Sequence, residues 1–401
     1  MRINKYLPFA LIYFFFNSLG LPLGLTYTTI LSPVLYYWIL TTRKKEILWP
    51  FLLALVPFMI VQINEGVELK TYLISILNIT AVYIFCQAFY TFLTCCQDIE
   101  GVFRKIVIIN FIFCLIAIPL YFTRYYDILW IKQFLTEGVD DFLRLKMFTY
   151  EASYYATLFI PLFFFYFLKI NLGQNKRNIL GILVMIVLPY LLSFSLGVIS
   201  SIIISVIVMY ILLFRYLSKK RSVWWVGISV SSSVLLLLTA LLIFSPDNTL
   251  FHRIGNILSG NDTSGNGRTS NAFMLGEKIL QLRNIYFGIG PGQIKVIGAD
   301  IIKGFYNYPI DYNVVTIPNA TAESLVIFGV AGLVVRFAVE IFLFFYTRVW
   351  TNYYRLLMFT FIFLYQLTGS FITNLAEYVI WIIAFTPGFY QFDVKTRQYT
   401  N

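Results

Sequence analysis

Residues 320–346, ATAESLVIFGVAGLVVRFAVEIFLFFY, decide how the rest of the chain is read. The stretch is apolar apart from Glu323, Arg336 and Glu340, and it exceeds the roughly 20 residues a helix needs to cross the hydrocarbon core of a bilayer. A charge deep in such a span costs at least about 2.5–3.5 kcal/mol and faces an interior partner or water. Glu340 stands four residues after Arg336 and supplies that partner, although Arg before Glu is the weaker order for a helical pair.

The pattern repeats outward from this span. With 59% hydrophobic residues, 12% charged and a mean hydropathy of +0.77, the chain lies far from the roughly 25% charged residues of soluble domains. The reading is an all-α polytopic membrane protein of about 12 spans (about 11–13). They fall at 6–23, 25–40, 47–63, 71–93, 106–122, 153–169, 179–194, 196–214, 223–244, 320–346, 356–372 and 376–390. The first apolar stretch is too long for a cleavable signal and lacks a small-residue cleavage site, so it is expected to remain as a helix.

Lys and Arg recur on alternate connections: Arg43 to Lys45, Arg104 and Lys105, Lys169 to Arg177, Arg215 to Arg221, and Arg348 with Arg355. Short cytoplasmic loops keep such residues, so both termini are expected inside. Two longer excursions then face outward, Thr123–Ala152 and Ser245–Pro318. The net charge of +11 reflects this asymmetry and the anionic inner leaflet, not nucleic acid. The bundle is read as one unit. Four cysteines in or beside spans four and five and a single His imply free thiols and no metal centre.

In the smaller excursion, Ile128 to Leu135 form an apolar pattern suited to an interfacial helix. Arg144, Phe148, Glu151 and Tyr155 are spaced to share one face if that stretch is helical, with Arg144 and Glu151 about 10 Å apart along the axis. Glu151 either serves as a general base on a hydroxyl or orients Arg144. In the larger excursion, 261–267 reads as a turn and Thr269–Leu282 as an amphipathic helix. Arg268 stands at its start, where a guanidinium beside unpaired N–H groups suits a diphosphate; the alternative is a solvated loop arginine. Gly288, Gly290 and Gly292 allow close backbone approach, either to a ligand or within a tight loop, and lack the rest of a nucleotide-binding motif. Glu323, Asn374 and Glu377, near the outer ends of the last spans, are candidates to line one cavity with Arg336.

Arg144 followed by 150–156, YEASYYA, resembles the Arg…Glu-Pro-Ser-Tyr-x-Ala pattern of Wzy-type exopolysaccharide and O-antigen repeat-unit polymerases. Gly267-Arg268, the 288–292 GIGPG run, and Asn319…Glu323…Gly329…Gly332 are similar to further features of that superfamily, in the same order around one large outer loop. Two positions depart from it: Pro318 stands where the related ligases tend to carry a catalytic His, and Ala152 replaces the Pro after the glutamate.

The resemblance implies a glycosyltransferase of the bacterial cytoplasmic membrane. It would move a growing glycan from undecaprenyl diphosphate onto another lipid-linked repeat unit at the outer face, giving O-antigen, capsule or exopolysaccharide. Arg144, Glu151 and Arg268 would be catalytic, and Tyr155, Gly288, Gly290, Gly292, Asn319, Glu323 and Arg336 would bind substrate. No Asp-x-Asp motif is present, so no metal or other cofactor is expected. A flippase and a chain-length regulator are the implied protein partners. The competing reading is a lipid-linked oligosaccharide flippase or another polytopic transporter, against which stand the lack of two similar halves and the long outer loop.

Overall fold

The computed structural model describes residues 5–16, 27–44, 46–133, 142–174, 178–213, 259, 263–306 and 316–394. The expected span 223–244, His252, the start of the 261–267 turn, and residues 1–4 and 395–401 lie outside these residues. In chain order the helices are α1 (Leu7–Leu11, continued by a π-helical turn Ile12–Phe16), α2 (Tyr27–Arg43), α3 (Leu48–Asn64), α4 (Leu69–Cys95) and α5 (Ile99–Tyr121). A hairpin of β1 (Trp130–Gln133) and β2 (Phe142–Leu145) precedes α6 (Ala152–Asn171), α7 (Ile179–Ser193) and α8 (Leu196–Leu212). Three shorter helices follow, α9 (Thr263–Arg268), α10 (Ser270–Leu280) and α11 (Ala299–Tyr306), and then α12 (Ala320–Tyr346), α13 (Tyr353–Tyr365) and α14 (Leu375–Phe385).

Eleven of the twelve expected spans therefore coincide, in whole or part, with a helix. Four of these, α4, α5, α6 and α12, are long and apolar enough to cross a membrane. The protein is mostly helical and carries the apolar helices of a membrane-embedded chain.

The chain packs as two units whose segments interleave along the sequence: 1–99, 267–348 and 362–386 in the first, and 100–266, 349–361 and 387–401 in the second. In the first unit α4 is central, packed by α2 and α14. Aromatic rings fill its contact with α1, where Phe9 stacks on Phe85 at 5.3 Å and Tyr13 lies 5.2 Å from Phe89. A second core is built where α10 and α11 fold onto α12, through Ala272, Leu275, Ile279, Ile302, Ala322 and Val326. Gly276 permits this approach, because a Cβ there would sit 3.2 Å from a Val326 methyl. α10 matches the expected amphipathic helix, its apolar stripe turned onto α12.

α12 is not continuous. Gly329 has φ 67° and ψ −169°, which no helix tolerates, so the rod is two helices end to end. The freed backbone groups pair with the 285–290 segment: Val330 and Ala331 N–H donate to the Ile285 and Tyr286 carbonyls, both at 3.0 Å, while Ile289 and Gly290 N–H donate to Val326 and Ile327 at 2.9 and 3.1 Å. Broken helices are accepted at membrane depth only where the backbone is satisfied in this way.

In the second unit α6 is the centre, with 83% of its most apolar window buried against 22% for α12. It packs on α7, α8 and β2. The β1–β2 pair is antiparallel, with Trp130 opposite Leu145 and Ile131 opposite Arg144. This corrects the interfacial helix expected over 128–135: only Tyr126–Ile128 form a helical turn, and Trp130–Gln133 are strand. The alternation of Trp130, Leu143 and Leu145 with charged neighbours gives the hairpin one apolar face, which packs with Leu129 and Met147 on Cys114 and Ala117 of α5. The Trp130 indole N–H donates to the Ala117 carbonyl at 2.8 Å and fixes it there.

Candidate functional site

A connected polar cluster surrounds Arg336, seven residues past the break in α12. Its Nε donates to Glu340 Oε1 at 3.2 Å and to Gln366 Oε1 at 2.9 Å. Nη1 donates to Ser324 Oγ at 2.9 Å, and Nη2 reaches both Gln366 Oε1 and the Glu377 carboxylate. The remaining carboxylate oxygens are served as well. Gln366 Nε2 donates to Glu340 Oε2 at 2.8 Å, Ser370 Oγ to Glu377 Oε2 at 2.6 Å, and Asn374 Nδ2 to Ser370 Oγ at 2.7 Å. One guanidinium thus stands against two buried carboxylates, every oxygen of which accepts a hydrogen bond. The expected Arg336–Glu340 pair is present, and Glu377 and Asn374 join it. Gln366, Ser370 and Ser324 were not singled out in the sequence; a polar residue interrupting the apolar run 356–367 was the available signal.

Above this cluster Asn319 ties three segments together. Its Oδ1 accepts from Ala322 N at 2.9 Å and caps α12, while Nδ2 donates to the Arg268 carbonyl at 2.7 Å and the Leu367 carbonyl at 2.6 Å. Glu323, half-buried, accepts from Ile372 N at 2.6 Å. The segment joining α13 to α14 is thereby held against the start of α12, with Thr321 Oγ1 adding a bond to the Gln366 carbonyl at 3.0 Å.

Arg268 is close to the expected position but in a different setting. It is the last residue of α9, and α10 begins two residues later. The 263–267 part of the expected turn is helical instead, and the Tyr306 hydroxyl donates to the Gly267 carbonyl at 3.0 Å. The elements bring Arg268, Asn319, Glu323 and Arg336 into the same unit.

The glycine run is a loop, as expected, with φ of 74°, 98° and 77° at Gly288, Gly290 and Gly292. Its close approaches are internal. A Cβ at Gly288 would fall 2.5 Å from Gly329 N, one at Gly290 would fall 2.9 Å from the Tyr72 ring, and one at Gly292 would fall 2.7 Å from the Thr71 carbonyl. With the Ile289 and Gly290 N–H groups committed to α12, the run joins the 282–292 segment to α4 and α12. Gln62 completes the joint, donating to the Phe287 and Ile327 carbonyls at 2.7 and 2.9 Å. Gln293 adds a reciprocal pair with the Glu68 backbone. Glu68 in turn caps α4, and the Thr71 hydroxyl and N–H hold its carboxyl below the ordinary glutamate range.

Arg144, Glu151 and Tyr155 belong to the second unit, and their expected common helical face is not formed. Arg144 is on strand β2 and Glu151 is the extended residue before α6, with φ −145° and ψ 145°. Arg144 is only 4% exposed, and its Nε donates to the Ser193 carbonyl at 2.9 Å, closing the C-terminus of α7. A cation suits that end of a helix dipole. Glu151 is partly exposed, and its Oε1 accepts from Ser153 Oγ at 2.5 Å. The Tyr155 hydroxyl is buried, donating to Asn110 Oδ1 at 3.0 Å beside Cys114, so it is a packing residue and not a sugar platform.

Among the described residues no group of three or more His, Cys, Asp or Glu is arranged to hold a metal ion. No protein-family model matches the chain, and no curated protein matches it significantly.

Proposed function

We propose that this protein is a polymerase of lipid-diphosphate-linked oligosaccharide repeat units, working at the outer face of the cytoplasmic membrane with both termini inside and about twelve spans. The observation that carries the reading is the folding of 263–306 onto the start of α12, where the Arg268 carbonyl is held by Asn319. A large outer segment organised over membrane helices is what transfer between two lipid-anchored glycans needs. It must present cations to a diphosphate leaving group while the prenyl chain stays in lipid. The contacts of that segment agree with the threading. Gly66, Glu68, Asn319 and Ile372, at the junctions it touches or neighbours, are all outer when the N-terminus is inside.

In this reading Arg268 binds the diphosphate and stabilises charge developing on it; Glu151, in the other unit, is assigned separately, either to activate an acceptor hydroxyl or to orient Arg144. Arg336 has its donors committed to Glu340, Glu377, Gln366 and Ser324, and its role is to fix the frame beneath Asn319 and Glu323. The test is polymer formation by Arg268→Ala and Arg268→Lys at matched protein level. Ala abolishes polymer, and Lys recovers little because a point charge loses the bidentate fork. A normal glycan ladder from Arg268→Ala removes Arg268 from the mechanism.

A transporter is the second reading, favoured by one observation, the discontinuous helix α12 with a partly buried arginine seven residues past its break. Secondary carriers bind substrate at such breaks. Here, however, the backbone groups flanking Gly329 are taken by the 285–290 segment.

A further inference from the structure

The segment 282–290 reverses the habit of a water-exposed loop. Leu282, Ile285 and Tyr286 turn their side chains outward, Ile285 at 50% and Tyr286 at 69% exposure. Its backbone, by contrast, is largely paired. Asn284 Oδ1 accepts from Tyr286 N and Phe287 N at 3.0 and 3.1 Å, and Gly288 N donates to the Asn284 carbonyl at 2.7 Å. The Ile285 and Tyr286 carbonyls accept from Val330 and Ala331, the Phe287 carbonyl from Gln62, and Ile289 and Gly290 N–H are spent on Val326 and Ile327. Phe287 packs inward, 5.7 Å from Phe58, and Ile289 is buried. Exposed apolar side chains on a largely paired backbone suit hydrocarbon better than water.

Depth agrees. α12 has 27 residues and Gly329 is its tenth, so if the helix is centred on a core about 30 Å thick the break lies roughly 8 Å inside the hydrocarbon. The adjoining turn of α12 continues the apolar surface: Val330, bonded to Ile285, and Val334 one turn on are both exposed. The nearby charges are engaged at the α3–α4 junction, Arg283 Nη2 donating to the Gly66 carbonyl at 3.2 Å and Glu65 Oε1 accepting from Asn284 Nδ2 at 3.5 Å.

We infer that residues 282–290 form a re-entrant wedge whose outward face contacts acyl chains of the outer leaflet, with the Tyr286 hydroxyl reaching back toward the headgroups. The occupant is bilayer lipid, by continuity with the apolar side of α12. The inference rests on the membrane reading and is independent of glycosyl transfer.

The experiment places a nitroxide at 286 by Tyr286→Cys, and at 277 by Glu277→Cys, in full-length protein with the four native cysteines replaced by alanine, reconstituted in phosphatidylcholine and phosphatidylglycerol vesicles. Collision with oxygen exceeds collision with a water-soluble nickel chelate at 286, and the order is reversed at exposed position 277. Equal behaviour at the two positions overturns the wedge. Poor access to both reagents at 286 with dipolar broadening overturns it in favour of a second copy of the chain. In the otherwise native chain, Tyr286→Asp lowers membrane-integrated protein several-fold while Glu277→Gln does not; native levels of Tyr286→Asp also overturn it.

Discussion

Arg336 is paired with two carboxylates, Glu340 and Glu377. Removing it leaves Glu340 and Glu377 facing each other in a buried site, and breaking a buried pair on one side costs about 3–5 kcal/mol. Arg336→Met is therefore expected to unfold at a far lower temperature in detergent than the native chain. The triple variant Arg336→Met, Glu340→Gln, Glu377→Gln recovers much of the loss, because no unpaired charge remains. A triple variant no more stable than the single one would show that shape, not charge, governs the site. Glu151 is tested through chemistry instead. If it is a base, Glu151→Gln loses polymer formation nearly as fully as Ala, since an amide keeps the shape but takes no proton at neutral pH; full activity in Ala removes it altogether. At this scale the sequence was informative about charge in apolar surroundings: Arg336, Glu340 and Glu377 stand out in any hydropathy reading. Gln366 and Ser370 were less legible, because an uncharged polar residue in or beside an apolar run carries a weaker signal than a charge. Arg144 was legible as unusual but not as the cap of α7, since the contact to Ser193 joins positions 49 apart.

Among the elements, α12 and the hairpin show opposite relations between pattern and structure. Hydropathy located α12 to the residue, yet the break at Gly329 is invisible to it, because a glycine among apolar residues reads equally as a smooth packing site. What makes the break is the partner, the 285–290 segment, which approaches too closely for any side chain at Gly288 or Gly329. Gly288→Ala is accordingly expected to lower the unfolding temperature and to speed proteolysis between 282 and 292. Gly304→Ala, where a Cβ meets nothing within 4 Å, leaves both unchanged. Equal behaviour of the two variants would mean that the segment is not docked on α12. Asn319→Ala should loosen the same joint from its other end, losing a cap worth about 1 kcal/mol together with both Nδ2 bonds. The hairpin failed as a sequence reading for a familiar reason. Four-residue apolar runs do not distinguish strand from helix, and here the pairing of 130–133 with 142–145 and the Ala117 contact overrode local helical spacing.

For the whole molecule, the apolar pattern placed the expected spans, because a membrane-crossing helix needs a continuous apolar run; eleven of the twelve overlap helices among the described residues, and four of these are long and apolar enough to cross a membrane. The grouping into two units does not follow from that pattern, because each unit gathers segments far apart in the chain. Orientation is open to direct test: a reporter fused after Asn266 is expected to give an outer signal and one after Lys220 an inner signal, and an inner signal at Asn266 overturns the placement of the large loop. The chemistry itself is tested most directly with purified protein in proteoliposomes supplied with undecaprenyl-diphosphate-linked repeat units. The account predicts products of two, three and more repeat units on a single lipid, absent with Arg268→Ala. Repeat units that stay single, whether untouched or merely carried across the bilayer, would contradict it.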